Sequence, residues 1–431
     1  MVMFADSKHI TQGKLSNYED ETIENQIEPK MDEFWKLECI GIKETLEEST
    51  DDKVLENFNN TVQKRDRRYH VQWPWKSDNP ELPDNYHLAF GRLKSTIKRM
   101  KNNEDLLTAY DEIIKKQLEK EMIEPVENDS DDQHLVHYIP HHAVITPENS
   151  TTKIRIVYDA SAKSKKEHKS LNECMYRGPV ILEDLCTLLL KFRTNKIAMV
   201  ADIEKAFHQI ALQKNDRDAT RFLWLRDTSK PVTEDNLQVY RFTRVPFGVI
   251  SSPFLLGGSV QHHLKGTKTE TASKISKELY VDNLISGDDT PTQAIKLHND
   301  SKRKFKEISM NLREWASNSS KVMQNIPEDD RAKGDTIKVL GMEWKPKNDT
   351  ISIRCKNKPI KAASKRQILK ITAGIFDPIG LFTPVTLRSK ILLRDLWEKN
   401  KGWDDPINED QHKIWASILK DLIELDTMNL P

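Results

Sequence analysis

The chain has 431 residues, 37% of them hydrophobic, and its 67 basic and 67 acidic side chains cancel to a formal net charge of zero. This length suits two or three domains. No apolar run is long enough for a membrane span or an early signal sequence, and the four cysteines (Cys39, Cys174, Cys186, Cys355) have no C-x-x-C spacing for a zinc finger or knuckle, so a soluble, intracellular protein in a reducing compartment is expected.

The charge is unevenly placed. Residues 1–60 hold 15 acidic and 6 basic side chains, a net −9, so the remainder carries +9. Such a leader is expected to be an acidic, largely disordered linker around one apolar island, Phe34-Trp35-Lys36-Leu37-Glu38. It has no Asp-Thr-Gly or Asp-Ser-Gly to place the acid of an aspartic protease. The mildly basic body is compatible with nucleic-acid binding. Lys64-Arg65-Asp66-Arg67-Arg68-Tyr69, followed by Gln72-Trp73-Pro74-Trp75, reads in two ways. It is a grip on a nucleic-acid strand by charge and stacking, or a solvated charge run leading into two packed tryptophans.

From Leu82 the spacing predicts helices. Leu93, Ile97 and Met100 keep one face, and Leu106, Leu107, Tyr110, Ile113, Ile114, Leu118 and Met122 keep another. The histidines after the acidic loop at Glu127 to Asp132 (His134, His137, His141, His142) have no cysteine or carboxylate pattern to complete a metal set, so structural roles are expected. Lys153-Ile154-Arg155-Ile156-Val157-Tyr158 alternates as a strand with Lys153 and Arg155 on one face. Two cations there suit a triphosphate, because arginine bonds phosphate oxygens bidentately, although a surface strand with basic decoration reads the same way. Lys163 to Lys169 is a basic loop.

The apolar run Ile197 to Ala201 reads as a buried strand that ends in Asp202 and passes into a short helical turn. Arg244-Val245-Pro246-Phe247-Gly248 turns into a helix, with Gly248 allowing close backbone approach and Ser251 or Ser252 with Pro253 as the helix start. Leu279-Tyr280-Val281-Asp282-Asn283-Leu284-Ile285-Ser286 reads as a tight hairpin with Asp282 and Asn283 at its tip. Two acids at strand ends in one sheet raise each other's pKa unless a cation sits between them. Mg²⁺ is the natural partner, and paired metals on shared carboxylates serve in-line phosphoryl displacement. Ile295 to Trp315 reads as a basic helical stretch, and Ile351 to Ser364 is basic.

Val200-Ala201-Asp202 with Phe207, then Val245-Pro246-Phe247-Gly248, then Tyr280-Val281-Asp282-Asn283 resemble, in that order, the palm motifs of reverse transcriptases. Tyr138-Ile139-Pro140-His141-His142-Ala143-Val144, Arg155 to Lys163 and Phe376-Asp377-Pro378-Ile379-Gly380-Leu381-Phe382-Thr383-Pro384-Val385 narrow the likeness to the polyproteins of BEL/Pao-type LTR retrotransposons. The resemblance implies an α+β right-hand polymerase with an antiparallel palm sheet. Its divisions would be the linker to residue 60, fingers and N-terminal helices at 61–195, a palm at 196–345 and a connection region at 346–431, truncated before any RNase H. It implies an RNA-directed DNA polymerase acting on dNTPs and an RNA or DNA template with primer. Two Mg²⁺ ions, replaceable by Mn²⁺, would sit on Asp202, the Ile203 carbonyl, Asp282 and Asn283. It further implies that Lys153, Arg155 and Asp159 meet the incoming dNTP and that Phe207 gates the ribose. Phe247 and Gly248 would pack on the nascent pair, and Leu340, Gly341, Met342 and Trp344 would form a primer grip. The chain departs from the family at Asn283, where active members usually carry a second aspartate. An amide oxygen still coordinates a metal, and Gly-Asp-Asn tips occur in working polymerases of some RNA viruses. The alternative is a catalytically inactive nucleic-acid-binding relic.

Overall fold

A computed structural model describes residues 50–101, 103–126, 135–145, 154–353, 364–428 and 430. Most of the expected linker therefore lies outside the described residues, and its last part is ordered: helix α1 (Thr50–Thr61) buries Val54 and Phe58. Next comes a hairpin of β1 (Gln63–Arg65) and β2 (Arg68–Val71), turning through Asp66 and Arg67, both at positive φ. The two readings of this stretch divide between its halves. Lys64, Arg65 and Arg67 are exposed, whereas the indoles of Trp73 and Trp75 both donate to Asp216, one to its carbonyl and one to its carboxylate.

Helices α2 (Tyr86–Met100) and α3 (Glu104–Glu119) bury Leu93, Ile97, Met100, Tyr110 and Ile114, as their stripes predict. The first begins at Tyr86 rather than Leu82 because Asn85 takes a left-handed conformation. β3 (Ile123–Pro125) follows, then the ladder of β4 (His141–Ile145) and β5 (Ile154–Tyr158). Two of the four histidines are buried structural groups. His137 bonds the Pro83 carbonyl at 2.6 Å, and His141 lies between the Tyr110 hydroxyl and the Leu223 carbonyl. His134 lies outside the described residues.

Helix α4 (Leu185–Thr194) leads into β6 (Ile197–Ile203), the strand predicted from its apolar run. β7 (Ala211–Leu212), β8 (Arg221–Leu225), β9 (Leu237–Phe242), α5 (Ser252–Thr267), α6 (Glu270–Glu278), β10 (Leu279–Tyr280), β11 (Asn283–Asp288), α7 (Pro291–Lys306) and β12 (Leu312–Ser317) complete the middle of the chain. β6 lies inside a four-stranded sheet of order β10-β11-β6-β12, and every pair in it is antiparallel. A strand covered on both faces needs apolar residues at every position, not at alternate ones. β6 obeys this: Met199, Ala201 and Ile203 enter one core, while Ala198 and Val200 enter a second one shared with Ile285 and Trp344.

The expected helix from Ile295 to Trp315 stops at Lys306. Ser309 is left-handed, and Leu312 to Ser317 pairs with β6 instead, burying Trp315. Sheet pairing here overrides the helical propensity of Leu-Arg-Glu-Trp. A small sheet of β13 (Ile337–Val339), β14 (Met342–Lys345) and β15 (Thr350–Ser352) covers the second core. Helices α8 (Lys365–Ala373), α9 (Thr383–Glu398) and α10 (Glu409–Thr427) then pack around a third core of Ile368, Leu392, Leu396, Trp415 and Ile418. The result is an α+β fold, and no helix among the described residues is long and apolar enough to cross a membrane.

Candidate active site

The pairing of β6 with β11 brings the two predicted acids together. Asn283 stands directly opposite Asp202 in the antiparallel ladder, and the Ile203 N–H donates to the Asp282 carbonyl at 2.8 Å. The hairpin tip is displaced by one residue from the expected position. Tyr280 pairs with Asn283, so the turn is Val281-Asp282 and Asn283 is the first residue of β11. The turn is made by Val281 at φ 58, a left-handed conformation that a β-branched residue adopts only under constraint. The constraint is the register of β11, whose Leu284 and Ile285 are both buried. Asn283 donates from Nδ2 to Asp282 Oδ1 at 2.7 Å, so the tip amide and carboxylate form one unit.

All three polar side chains are half-buried. Burial, then the neighbouring Asp282 and Glu314 carboxylates, push Asp202 up to about 7, against a smaller opposing effect of Arg313. Burial also raises Asp282, and the Asn283 amide partly offsets this. Two carboxyls that resist ionisation, carried on strand ends tied by the Ile203–Asp282 backbone bond, form a donor set in which a divalent cation would offset both effects, so their chemistry fits a hard oxygen-bound metal. Among the described residues no group of three or more His, Cys, Asp or Glu side chains is arranged to hold a metal ion.

A second group of expected residues meets beside this one. Phe207, on the one-turn helix that follows Asp202, packs edge-on against Phe247 with ring centroids 4.7 Å apart. Phe247 is about half exposed and leads into Gly248 at φ 95. A Cβ at Gly248 would stand 2.4 Å from the Tyr158 carbonyl oxygen, so only glycine lets this loop rest on the end of β5. Asn172 fixes the same loop, donating to the Gly248 carbonyl and accepting from the Ile250 N–H. Ser251 stands at the N-cap of α5 without a capping bond, and Ser252 instead donates to the Pro246 carbonyl at 2.7 Å. Asp159, next to Tyr158, pairs with Arg92. Arg155 is exposed on β5 opposite Val144, and no hydrogen bond or ion pair ties it to a described residue. Lys153 lies outside the described residues.

The expected grip divides in two. Met342 and Trp344 are fully buried in the second core and cannot meet a ligand, since alternation on β14 turns both inward. Leu340 and Gly341, at φ 46 and 94, form the turn between β13 and β14. Leu340 and Tyr280 pack against the same core. Phe376 covers this turn, its ring 2.7 Å from where a Gly341 Cβ would stand.

Sequence reasoning missed Arg313 and Glu314. Arg313 pairs in register with Asp202, and Glu314 sits at φ 52 in the bulge that follows. A Leu-Arg-Glu-Trp run read as helix gives no reason to place them beside β6. The bulge itself has no local sequence signal.

A family model described as reverse transcriptase (RNA-dependent DNA polymerase) matches residues 104–343, and one described as Pao retrotransposon-like RNaseH-like domain matches residues 364–431, within the segment expected as a connection region. No curated protein matches the chain.

Proposed function

The chain belongs to the reverse transcriptase family, as the reverse transcriptase region of a Pao/BEL-type retrotransposon, and on that premise we propose that it adds dNTPs to a primer on an RNA or DNA template by metal-assisted phosphoryl transfer. The observation that carries this reading is the β6–β11 register, which sets Asp202 beside Asp282 and Asn283 at one end of a rigid sheet. Residues 61–195 act as fingers and 196–345 as palm of a right-hand polymerase. Two Mg²⁺ ions, or Mn²⁺, would be held by Asp202, Asp282, the Ile203 carbonyl and the Asn283 amide oxygen. The chemistry such ions supply when bound is activation of the primer 3′-hydroxyl and stabilisation of the pyrophosphate leaving group. The chain's own groups position the reactants. Arg155 bonds triphosphate oxygens, Phe207 backed by Phe247 excludes a 2′-hydroxyl, and the Leu340-Gly341 turn supports the primer end.

Asn283 favours a second reading. Its amide carries no charge, and even outer-shell changes at metal sites cost about 10–100-fold in affinity or activity. A chain that binds primer and template without extending them is the alternative.

Primer extension on an RNA template, with Mg²⁺ and with Mn²⁺, separates the two. The native chain is expected to extend, Asp202→Ala to abolish extension, and Asn283→Asp to raise it about tenfold or more. Binding of primer–template with no extension by either the native chain or Asn283→Asp would establish the inactive reading.

A further inference from the structure

A cluster of guanidinium groups beside the Phe247 loop has no role in the proposed chemistry. Three chain segments converge there. Ala211 pairs with His70 of β2 on one side and bridges to Arg244 on the other. Thr243 donates its N–H to the Met122 carbonyl and its hydroxyl to the Glu121 carbonyl, which brings the end of α3 alongside. Arg68 donates to both the backbone and the side-chain oxygen of Gln209 at 2.7 and 3.0 Å. Arg217 is ion-paired with Glu124 at 3.1 Å. Arg244 differs from both, since no hydrogen bond or ion pair joins its guanidinium to a described residue although it is half-buried.

The charge there is unbalanced. Arg68 and Arg217 both repel Arg244, which burial and these neighbours lower to about 10, and Glu121 is the opposing carboxylate. His70 faces Arg244, Arg65, Arg217 and Arg68 together. Exposed Lys120 and Lys205 lie against each other at the rim, and buried His208 faces Lys205 and Arg244. Glu124 is shared between Arg217 and Arg241, so it does not neutralise the group. A half-buried guanidinium with no acceptor among the described residues keeps its donors available, and an oxyanion would engage them by charge-assisted bonds.

We propose that Arg68, Arg217 and Arg244, rimmed by Lys120 and Lys205, form a binding site for an inorganic polyphosphate, the chemistry shared by free pyrophosphate and the triphosphate tail of a nucleotide. A nucleic-acid strand spreads its charges along a track, about one per 3.4 Å of helix axis, whereas these guanidiniums are gathered on adjoining segments around Ala211. A polyphosphate concentrates several charges on one small ligand and matches that convergence. The site requires neither metal nor turnover, so it stands or falls separately from the polymerase reading.

Calorimetric titration of the full chain with sodium tripolyphosphate in EDTA tests it, with a second titration using a short single-stranded oligodeoxynucleotide that has hydroxyl ends. Saturable binding of one tripolyphosphate is expected, weakened about tenfold or more by Arg244→Gln. The double variant Lys120→Gln/Lys205→Gln is expected to weaken it too. Both rim lysines are exposed, so an unchanged melting curve for this variant excludes unfolding as the cause. Oligonucleotide affinity is expected to hold in Arg244→Gln. Absence of saturable tripolyphosphate binding, equal affinity in all variants, or loss of oligonucleotide binding in its place would overturn the proposal.

Discussion

At Asp202 burial and the Asp282 carboxylate oppose ionisation while Arg313 favours it, and the acid is held up to about 7. A carboxyl raised in the folded state keeps its proton longer than in the unfolded chain. The folded form therefore binds more protons between the ordinary carboxylate range and 7, and stability falls as pH rises across that window. In metal-free buffer Asp202→Asn is expected to melt higher than the native chain above pH 7, by about 1 kcal/mol once solvent screening of a half-buried group is allowed for. Below about pH 3.9 the two should melt together, because both side chains are then neutral. Melting curves at the two pH values decide this, and equal stability throughout would refute it. The acid itself was legible in the sequence, since a carboxylate that closes an unbroken apolar run marks the end of a buried strand. The tip was legible only to within one residue. Asp-Asn is a good turn pair by local preference, but the burial of Leu284 and Ile285 fixes the strand register and moves the left-handed position onto Val281.

Among the elements, the turn between β13 and β14 shows how one glycine serves two demands. Gly341 takes φ 94, and the Phe376 ring occupies the space a Cβ would need. Phe376 is held there by its own loop, where Asp377 accepts from the N–H groups of Leu381 and Phe382 and buried Phe382 anchors in the second core. Gly341→Ala is expected to destabilise by about 2–3 kcal/mol, of which about 1–2 is the left-handed backbone and the rest the clash. In a Phe376→Ala background only the backbone part should remain. A double-mutant cycle by chemical denaturation measures the difference, and full additivity would show that the ring moves aside freely. The helices α2 and α3 were readable from apolar spacing alone. β12 was not, because its bulge breaks the alternation that marks a strand, and only the presence of β6 explains its pairing.

At the scale of the whole molecule, the described residues form three cores, and the third is set apart. Ile368, Leu392, Leu396, Trp415 and Ile418 pack among α8, α9 and α10, and among the described residues Ile375 and Leu425 pack against both this core and the second. Loosening it should therefore open the three helices before the central sheet. Trp415→Ala is expected to cost about 3–5 kcal/mol, borne by α8 to α10. Hydrogen exchange would show their amides losing protection while those of β6 and β11 keep theirs, and simultaneous loss in both regions would mean one cooperative unit. The α+β class was implied by the resemblance of the ordered motifs to reverse transcriptases, but the separation into cores was not legible, because hydrophobic spacing names a buried face without naming its partner. The strand that joins the first two cores has a further consequence. Because consecutive residues of β6 feed opposite cores, its reading is a matter of odd and even. Substitution of one apolar residue by another leaves the parity intact. Insertion or deletion of a single residue between 197 and 201 would exchange the two sets of side chains and turn position 202 to the other face, whereas a two-residue change would preserve it. The strand is thus tolerant of chemical variation and intolerant of odd changes in length.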